Sequence, residues 1–223
     1  MEQLAERIAC IKRNIAAAAA RGKGQAVRLL AVTKTVPPEV IAQAVSCGLT
    51  LFGENRVQEA LPKIERFPQA EWHLIGRLQT NKVRAVVSRF ALIHSLDRWK
   101  LAAELQERAK QQGQTVRVLV QVNIGREPQK GGVLPEEVPD FLREVAQLSH
   151  LRVEGLMAIP PAACDPEEAR PYFRAMYQLF RSIDIPGIEM KTLSMGMSAD
   201  YVVAVEEGAN LVRVGSLLFG ERS

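Results

Sequence analysis

Leu29-Leu30-Ala31-Val32-Thr33-Lys34-Thr35-Val36-Pro37-Pro38 is the stretch from which the fold can be read. An apolar run rich in strand formers leads into a single lysine, and two prolines then end the extended segment and open a helix at Glu39. The order strand, lysine, helix sets Lys34 at the C-terminal edge of a strand. In parallel α/β proteins that edge is where ligands bind. The fold therefore depends on how often this unit recurs, and the function on what else reaches the same edge.

The unit recurs with a steady cadence. The spacing of Leu4, Ile8, Ile11 and Ile15 predicts a leading helix that runs through the alanines to Arg21-Gly22. Strand one is Val27 to Lys34, with a helix from Glu39 to Cys47 that stops at Gly48. Strand two (Thr50 to Asn55) precedes a helix from Arg56 to Phe67, and strand three (Glu71 to Gly76) one from Thr80 to Phe90. Strand four is Ala91 to Leu96, with Asp97 as the expected N-cap of the helix Arg98 to Gln112. Strand five, Thr115 to Ile124, runs into Gly125-Arg126-Glu127-Pro128-Gln129-Lys130-Gly131-Gly132, expected as a mobile loop with Lys130 solvated. A helix Glu136 to His150, strand six Arg152 to Ile159, a helix Pro166 to Ser182, strand seven Glu189 to Ser194, a helix Ala199 to Gly208 and strand eight Leu211 to Phe219 complete the chain. Eight strands, each but the last followed by a helix, predict a single closed (β/α)8 barrel of the TIM type with an extra N-terminal helix, spanning residues 1–223 as one domain. The rival is an open doubly wound sheet, but its GxGxxG fingerprint is absent, as is the P-loop pattern.

Composition narrows the function classes. In 223 residues, 47% hydrophobic, no apolar run is long enough to span a bilayer, and Glu2, Glu6 and Arg7 do not resemble a signal peptide. No membrane role and a cytoplasmic location are expected. Cys10, Cys47 and Cys164 are far apart, without metal-ligand spacing, and are read as reduced, mostly buried thiols. The net charge of +4 is spread along the chain. With 5% aromatic residues and none interleaved with a basic run, a stacking platform for nucleic acid is not expected, although a pI near 9.1 keeps a nucleic-acid module as the third-ranked reading.

Closure of the barrel makes strands one and eight neighbours, so Lys34 meets the end of strand eight. There Gly215 permits close backbone approach and Ser216 offers a hydroxyl and an N–H. Strand seven ends in Ser194-Met195-Gly196-Met197-Ser198, with Ser198 expected to cap the helix that follows it; Met157, Met195 and Met197 are candidates for the pocket lining, with gap-filling core as the default reading for methionine. Loops after strands seven and eight form the recurring phosphate site of this fold. A lysine amine beside a phosphate cradle suits a phosphorylated aldehyde held as a Schiff base, and pyridoxal 5'-phosphate (PLP) meets that description. Alternation puts Arg213 on the face of Gly215, where its guanidinium can face the pyridine nitrogen, and Asn55 is in reach of the phenolic oxygen. Singly, each feature has a plainer reading: a lysine after a strand is usually solvated, and glycines and serines usually serve turns and caps. Arg213 resists that reading, because a charge inside an apolar strand needs a partner. His73 is read as a hydrogen-bonded core histidine rather than a base, and Glu54 and Asp97 lie near strand ends without being paired as acid and base.

Three signatures then carry a resemblance: Ala31-Val32-Thr33-Lys34-Thr35, Gly53-Glu54-Asn55-Arg56-Val57-Gln58-Glu59, and His73-Leu74-Ile75-Gly76-Arg77-Leu78-Gln79-Thr80-Asn81-Lys82. With Gly155-Leu156-Met157, Leu193-Ser194-Met195-Gly196-Met197-Ser198-Ala199-Asp200, Val212-Arg213-Val214-Gly215 and Phe219-Gly220-Glu221-Arg222, they resemble the pyridoxal phosphate homeostasis protein family, also called the proline synthase co-transcribed homologue family. The resemblance implies a fold-type III barrel similar to the N-terminal domain of alanine racemase. It implies PLP on Lys34, Arg213 at the ring nitrogen, Ser198, Gly215 and Ser216 at the phosphate, and Asn55 near the cofactor. It further implies a role in PLP, vitamin B6 and amino-acid balance without established catalysis. The alternative is a racemase or decarboxylase with a reduced site. Such enzymes complete their sites with a second β-domain, and Ser223 directly after strand eight is read as leaving the cofactor half alone. PLP, PLP-accepting apoenzymes and a monomeric state are the expected partners and assembly.

Overall fold

Each β/α unit begins with a short run of buried apolar residues, turns through a polar loop, and returns along a helix whose apolar stripe covers the strand it left. The computed structural model describes residues 2–220. Glu221 and Arg222 of the last signature, and the expected end of the domain at Ser223, lie outside the described residues. The elements are α1 (Glu2–Arg21), β1 (Arg28–Val32), α2 (Pro38–Ser46), β2 (Leu51–Glu54), α3 (Val57–Arg66), β3 (Glu71–Leu74), α4 (Val83–Val86), β4 (Leu92–Leu96) and α5 (Trp99–Gln111). There follow β5 (Val116–Val122), α6 (Val138–Val145), β6 (Leu151–Ala158), α7 (Arg170–Ser182), β7 (Thr192–Ser194), α8 (Tyr201–Glu206), β8 (Leu211–Val214) and α9 (Ser216–Phe219).

The eight strands form a closed parallel barrel in sequence order. β1 closes it against β8, pairing Arg28 with Leu211, Leu29 with Val212, Leu30 with Arg213 and Ala31 with Val214. The main core fills the layer between barrel and helices, with Phe52, Phe173 and Ile41 among its largest fully buried side chains. α1 adds Leu4, Ile8, Ile11 and Ile15 to that core. It is fixed to the last units by Asn14 donating to the Tyr201 hydroxyl at 3.0 Å and by an Arg21–Glu206 ion pair.

Several expectations are corrected. Strand eight stops at Val214, and the apolar run beyond it is the short helix α9, because Gly215 breaks the extended backbone with φ −125° and ψ −70°. The last strand therefore has a helix after all. The expected helix Thr80 to Phe90 is a 3-10 turn (Thr80–Lys82) leading into the four-residue α4, with Ser88 in a left-handed conformation. The helix expected from Glu136 to His150 reduces to α6, whose end tightens into three-residue bonds such as Leu148 N–H to Val145 C=O. Asp97 does not cap α5: its carboxylate pairs with Arg98. The 125–132 loop is tied back to the end of β5, where the Asn123 side chain donates to the Glu127 carbonyl and accepts from the Glu127 N–H. Lys130 is held too, donating to the Pro160 carbonyl at 3.0 Å. The cysteines are free, but Cys10 and Cys164 are exposed and Cys47 half-buried, so they are not core residues.

Candidate cofactor site

At the C-terminal mouth of the barrel lies a cavity of about 590 Å³. Lys34, Asn55, Met197, Ser198, Arg213, Gly215 and Ser216 all line it, so most of the residues expected at the cofactor converge on one place. Met195 does not line it. That side chain is fully buried in the layer between barrel and helices, whereas Met197 reaches the cavity wall. Val32, Ile75, Arg77, Asp97, Gln121 and Ile159 also line the cavity, and none of them was assigned to the cofactor from sequence.

Local backbone explains the placement. Lys34 sits in the turn after β1, and Thr35 follows in a left-handed conformation (φ 60°) that a β-branched residue rarely adopts. Ser198 does not cap α8: Asp200 instead accepts the Met197 N–H at 2.6 Å. The Ser198 hydroxyl receives the N–H of Gly215 at 3.2 Å and of Leu217 at 3.5 Å, so it joins the β7 loop to the start of α9. Burial raises the Asp200 carboxyl above its usual range, against the opposing hydrogen bond from Met197.

Arg213 is buried at 4% exposure. Burial pulls its guanidinium down to about 10, with Asp200 acting in the opposite sense, so it remains charged at neutral pH. Its partners are the Ser194 hydroxyl at 2.6 Å and the Ala158 carbonyl at 3.0 Å. Behind Ser194 a buried chain crosses the barrel interior: Ser194 Oγ to His94 Nδ1 (3.1 Å), His94 Nε2 to His73 Nδ1 (3.0 Å), and His73 Nε2 to Glu71 Oε1 (2.9 Å). Two further apolar clusters are separate from the main core, one containing Leu30, Val32, Leu51 and Leu211, the other Leu92, Leu119 and Met157.

The direction of this chain follows from its ends. An arginine can only donate and a carboxylate can only accept. With both rings neutral, these ends fix the direction: Ser194 accepts from Arg213 and donates to His94, and each histidine carries its proton on Nε2. Burial holds His94 well below the usual histidine range, with His73 and Arg213 adding to the effect, and burial likewise lowers His73. Both rings are neutral at pH 7. The hydrogen bond from His73 brings Glu71 down to about 2, with Arg28 assisting. His73 is thus a hydrogen-bonded core histidine, as read from sequence. The chain as a unit was missed, because its members come from β3, β4, β7 and β8 and share no sequence spacing.

Glu54 and Asp97 are not an acid–base pair. Glu54 is fully buried against Lys63 at 2.7 Å, while Asp97 is paired with Arg98. No group of three or more His, Cys, Asp or Glu able to hold a metal occurs among the described residues. No helix there is long and apolar enough to cross a membrane.

Comparison with known proteins agrees with the geometry. The family described as "Alanine racemase, N-terminal domain" matches residues 7–223. A pyridoxal phosphate homeostasis protein of Aquifex aeolicus is 47% identical over 222 residues, covering 97% of each chain. PipY of Synechococcus elongatus PCC7942, solved with PLP bound, is 35% identical with a TM-score of 0.83 over 97% of this chain and 100% of its own. Alanine racemase of Corynebacterium glutamicum shares the fold (TM-score 0.73, 19% identity), with this chain fully covered and matching 62% of that enzyme. By its barrel, by the residues at the mouth and by these full-length likenesses, the chain belongs to the alanine racemase N-terminal domain family and to the pyridoxal phosphate homeostasis proteins.

Proposed function

We propose that the cavity holds PLP through Lys34 and that the protein is a PLP carrier, serving intracellular vitamin B6 and amino-acid balance rather than turnover. One observation carries this reading: an amine, a buried guanidinium and a pair of hydroxyls from distant parts of the chain line a single cavity. The cavity's size suits a compact cofactor, within the roughly 300–1,000 Å³ typical of small-molecule sites. The donor set suits PLP in kind as well, with cationic and N–H or O–H groups for a phosphate and an amine for an aldehyde.

Bound PLP supplies an aldehyde for covalent attachment to an amine and a ring that delocalises charge. Lys34 provides the amine. Ser198, Gly215 and Ser216 hold the phosphate, and Asn55 hydrogen-bonds the phenolic oxygen. Arg213, fixed as a charged donor by Ser194, keeps the pyridine nitrogen an acceptor and so unprotonated. A ring held that way is a weak electron sink, which favours retention over carbanion chemistry. Asp97 brings a carboxylate to the cavity, and its pairing with Arg98 balances the charge. We place this activity in one barrel domain spanning residues 1–223, monomeric and cytoplasmic, without nucleic-acid binding and with PLP-accepting apoenzymes as recipients.

Borohydride reduction of the PLP-loaded protein followed by peptide mapping tests the assignment: a pyridoxyl group on Lys34 is expected, and its absence refutes it. Ser198→Ala and Gly215→Val are expected to weaken PLP retention in a folded protein. Sustained turnover of amino acids that disappears in Lys34→Ala would sink the carrier reading in favour of a reduced racemase or decarboxylase.

A further inference from the structure

The layer between barrel and α3 contains a buried polar triad that the proposed function leaves unexplained. Thr33 and Glu54 are fully buried and Lys63 is 8% exposed. One carboxylate oxygen of Glu54, Oε1, accepts from the Thr33 hydroxyl at 2.6 Å and from the Lys63 ammonium at 2.7 Å. The ammonium also donates to the Thr33 carbonyl at 2.7 Å. The other oxygen, Oε2, is buried and has no hydrogen-bond partner among the described residues.

As a source of stability this arrangement is poor. Removing both charges from water is costly, and apolar replacements of such pairs are often neutral or stabilising. An unmatched carboxylate oxygen adds to the cost. Its location, however, is specific: Thr33 immediately precedes Lys34, and Glu54 immediately precedes Asn55.

We propose that Thr33, Glu54 and Lys63 are positioning residues, a clamp outside the barrel wall that presents Lys34 and Asn55 to the cavity inside it. The inference rests on the PLP reading of that cavity. Neighbouring side chains on an extended backbone point to opposite faces. Thr33 and Glu54 are turned outward onto Lys63, and the residues after them line the cavity. Every polar group of Thr33 is engaged, since its N–H donates to Gly53 C=O at 2.9 Å and its C=O also accepts the Val36 N–H at 2.9 Å. That last bond closes the turn containing Lys34 and the left-handed Thr35. A strained residue of this kind persists only where its surroundings fix it, and Lys63 fixes the carbonyl on which the turn closes.

The test replaces the whole triad by apolar residues of similar shape, Thr33→Val, Glu54→Leu and Lys63→Met together, leaving no lone buried charge. Three quantities are measured beside the wild type: the urea midpoint without PLP, the PLP dissociation constant by absorbance titration, and amide exchange of Val36 in the PLP-free protein. The expected result is an unchanged or higher urea midpoint, PLP affinity lower by about tenfold or more, and Val36 exchange faster by a similar factor. A triple variant with wild-type affinity and wild-type Val36 protection overturns the proposal. If wild-type protein takes up no PLP, the cavity reading fails, and Val36 exchange still decides whether the clamp holds the turn. Should the triple variant not fold, Thr33→Val alone keeps the ion pair and removes only the hydroxyl's contacts, to Glu54 Oε1 at 2.6 Å and to the Gly53 carbonyl at 3.4 Å. The same two losses are then expected, reduced to a few-fold, and their absence overturns the clamp.

Discussion

Ser194→Ala tests the buried chain that fixes Arg213, with an internal control one residue away from His94. The substitution removes a single oxygen, but two buried groups lose their partner: a guanidinium N–H that donates at 2.6 Å and the His94 Nδ1 that accepts at 3.1 Å. Stranding a buried polar group costs about 1–3 kcal/mol, more when it is charged. Two such groups, one charged, bring the expected loss to about 3 kcal/mol, roughly two decades in the folded-to-unfolded ratio. Ser95 is the control, because its side chain is equally buried and its Oγ has no hydrogen-bond partner among the described residues. Ser95→Ala removes an unmatched hydroxyl and is expected to be neutral or slightly stabilising, within about 0.5 kcal/mol. Urea unfolding of the PLP-free variants measures both, with equal slopes required for comparison. If the two alanines shift the midpoint alike, the chain from Arg213 to Glu71 contributes nothing beyond filling space, and the reasoning about its direction falls with it.

Two further outcomes follow from other parts of the molecule. Glu71 has a folded-state pKa of about 2 against 4.5 for the free group, so its contribution to stability is present above about pH 4.5 and lost as pH falls through 2. That shift corresponds to at most about 3 kcal/mol, which screening at a side chain 32% exposed reduces to about 1–2 kcal/mol. The stability gap between wild type and Glu71→Gln should therefore close between pH 5 and pH 2, and a gap independent of pH would contradict the assignment. Gly196 has a φ of +91°, and a Cβ there would lie 2.5 Å from that of Ala204 and 3.0 Å from the Tyr201 Cα. Gly196→Ala should cost at least about 1–3 kcal/mol from backbone strain alone, read as a lowered Tm, and an unchanged Tm would show that the loop relaxes freely.

The barrel was legible because each strand announces itself as a short apolar run between turn residues, and eight such runs admit few closures. The mouth was legible because strand ends are where alternation and loops concentrate polar residues, which is how Lys34, Ser198 and Arg213 could be grouped before any contact was known. What sequence hid is the polar matter inside and behind the wall. His73, His94 and Ser194 are scattered over 122 residues and meet only through closure. Lys63 looked like any lysine on an amphipathic helix, although its side chain is turned inward to Glu54. Strand eight was overextended because Leu217, Leu218 and Phe219 continue an apolar run, and a short apolar run does not distinguish strand from helix.

Pairing of β1 with β8 brings Lys34 beside residues 213–216, at a sequence separation of about 180. The cavity therefore has no local precursor: a nascent chain displays its lysine long before the opposite wall exists, and nothing short of complete ring closure assembles the two. A ligand that bridges these walls binds the closed ring and not its fragments, so by mass action it opposes global opening while leaving the fraying of single helices untouched. Occupancy becomes a report on the integrity of the entire ring, and any lesion that slackens the β1–β8 seam, however distant from the mouth, should shorten ligand residence before it unfolds the protein.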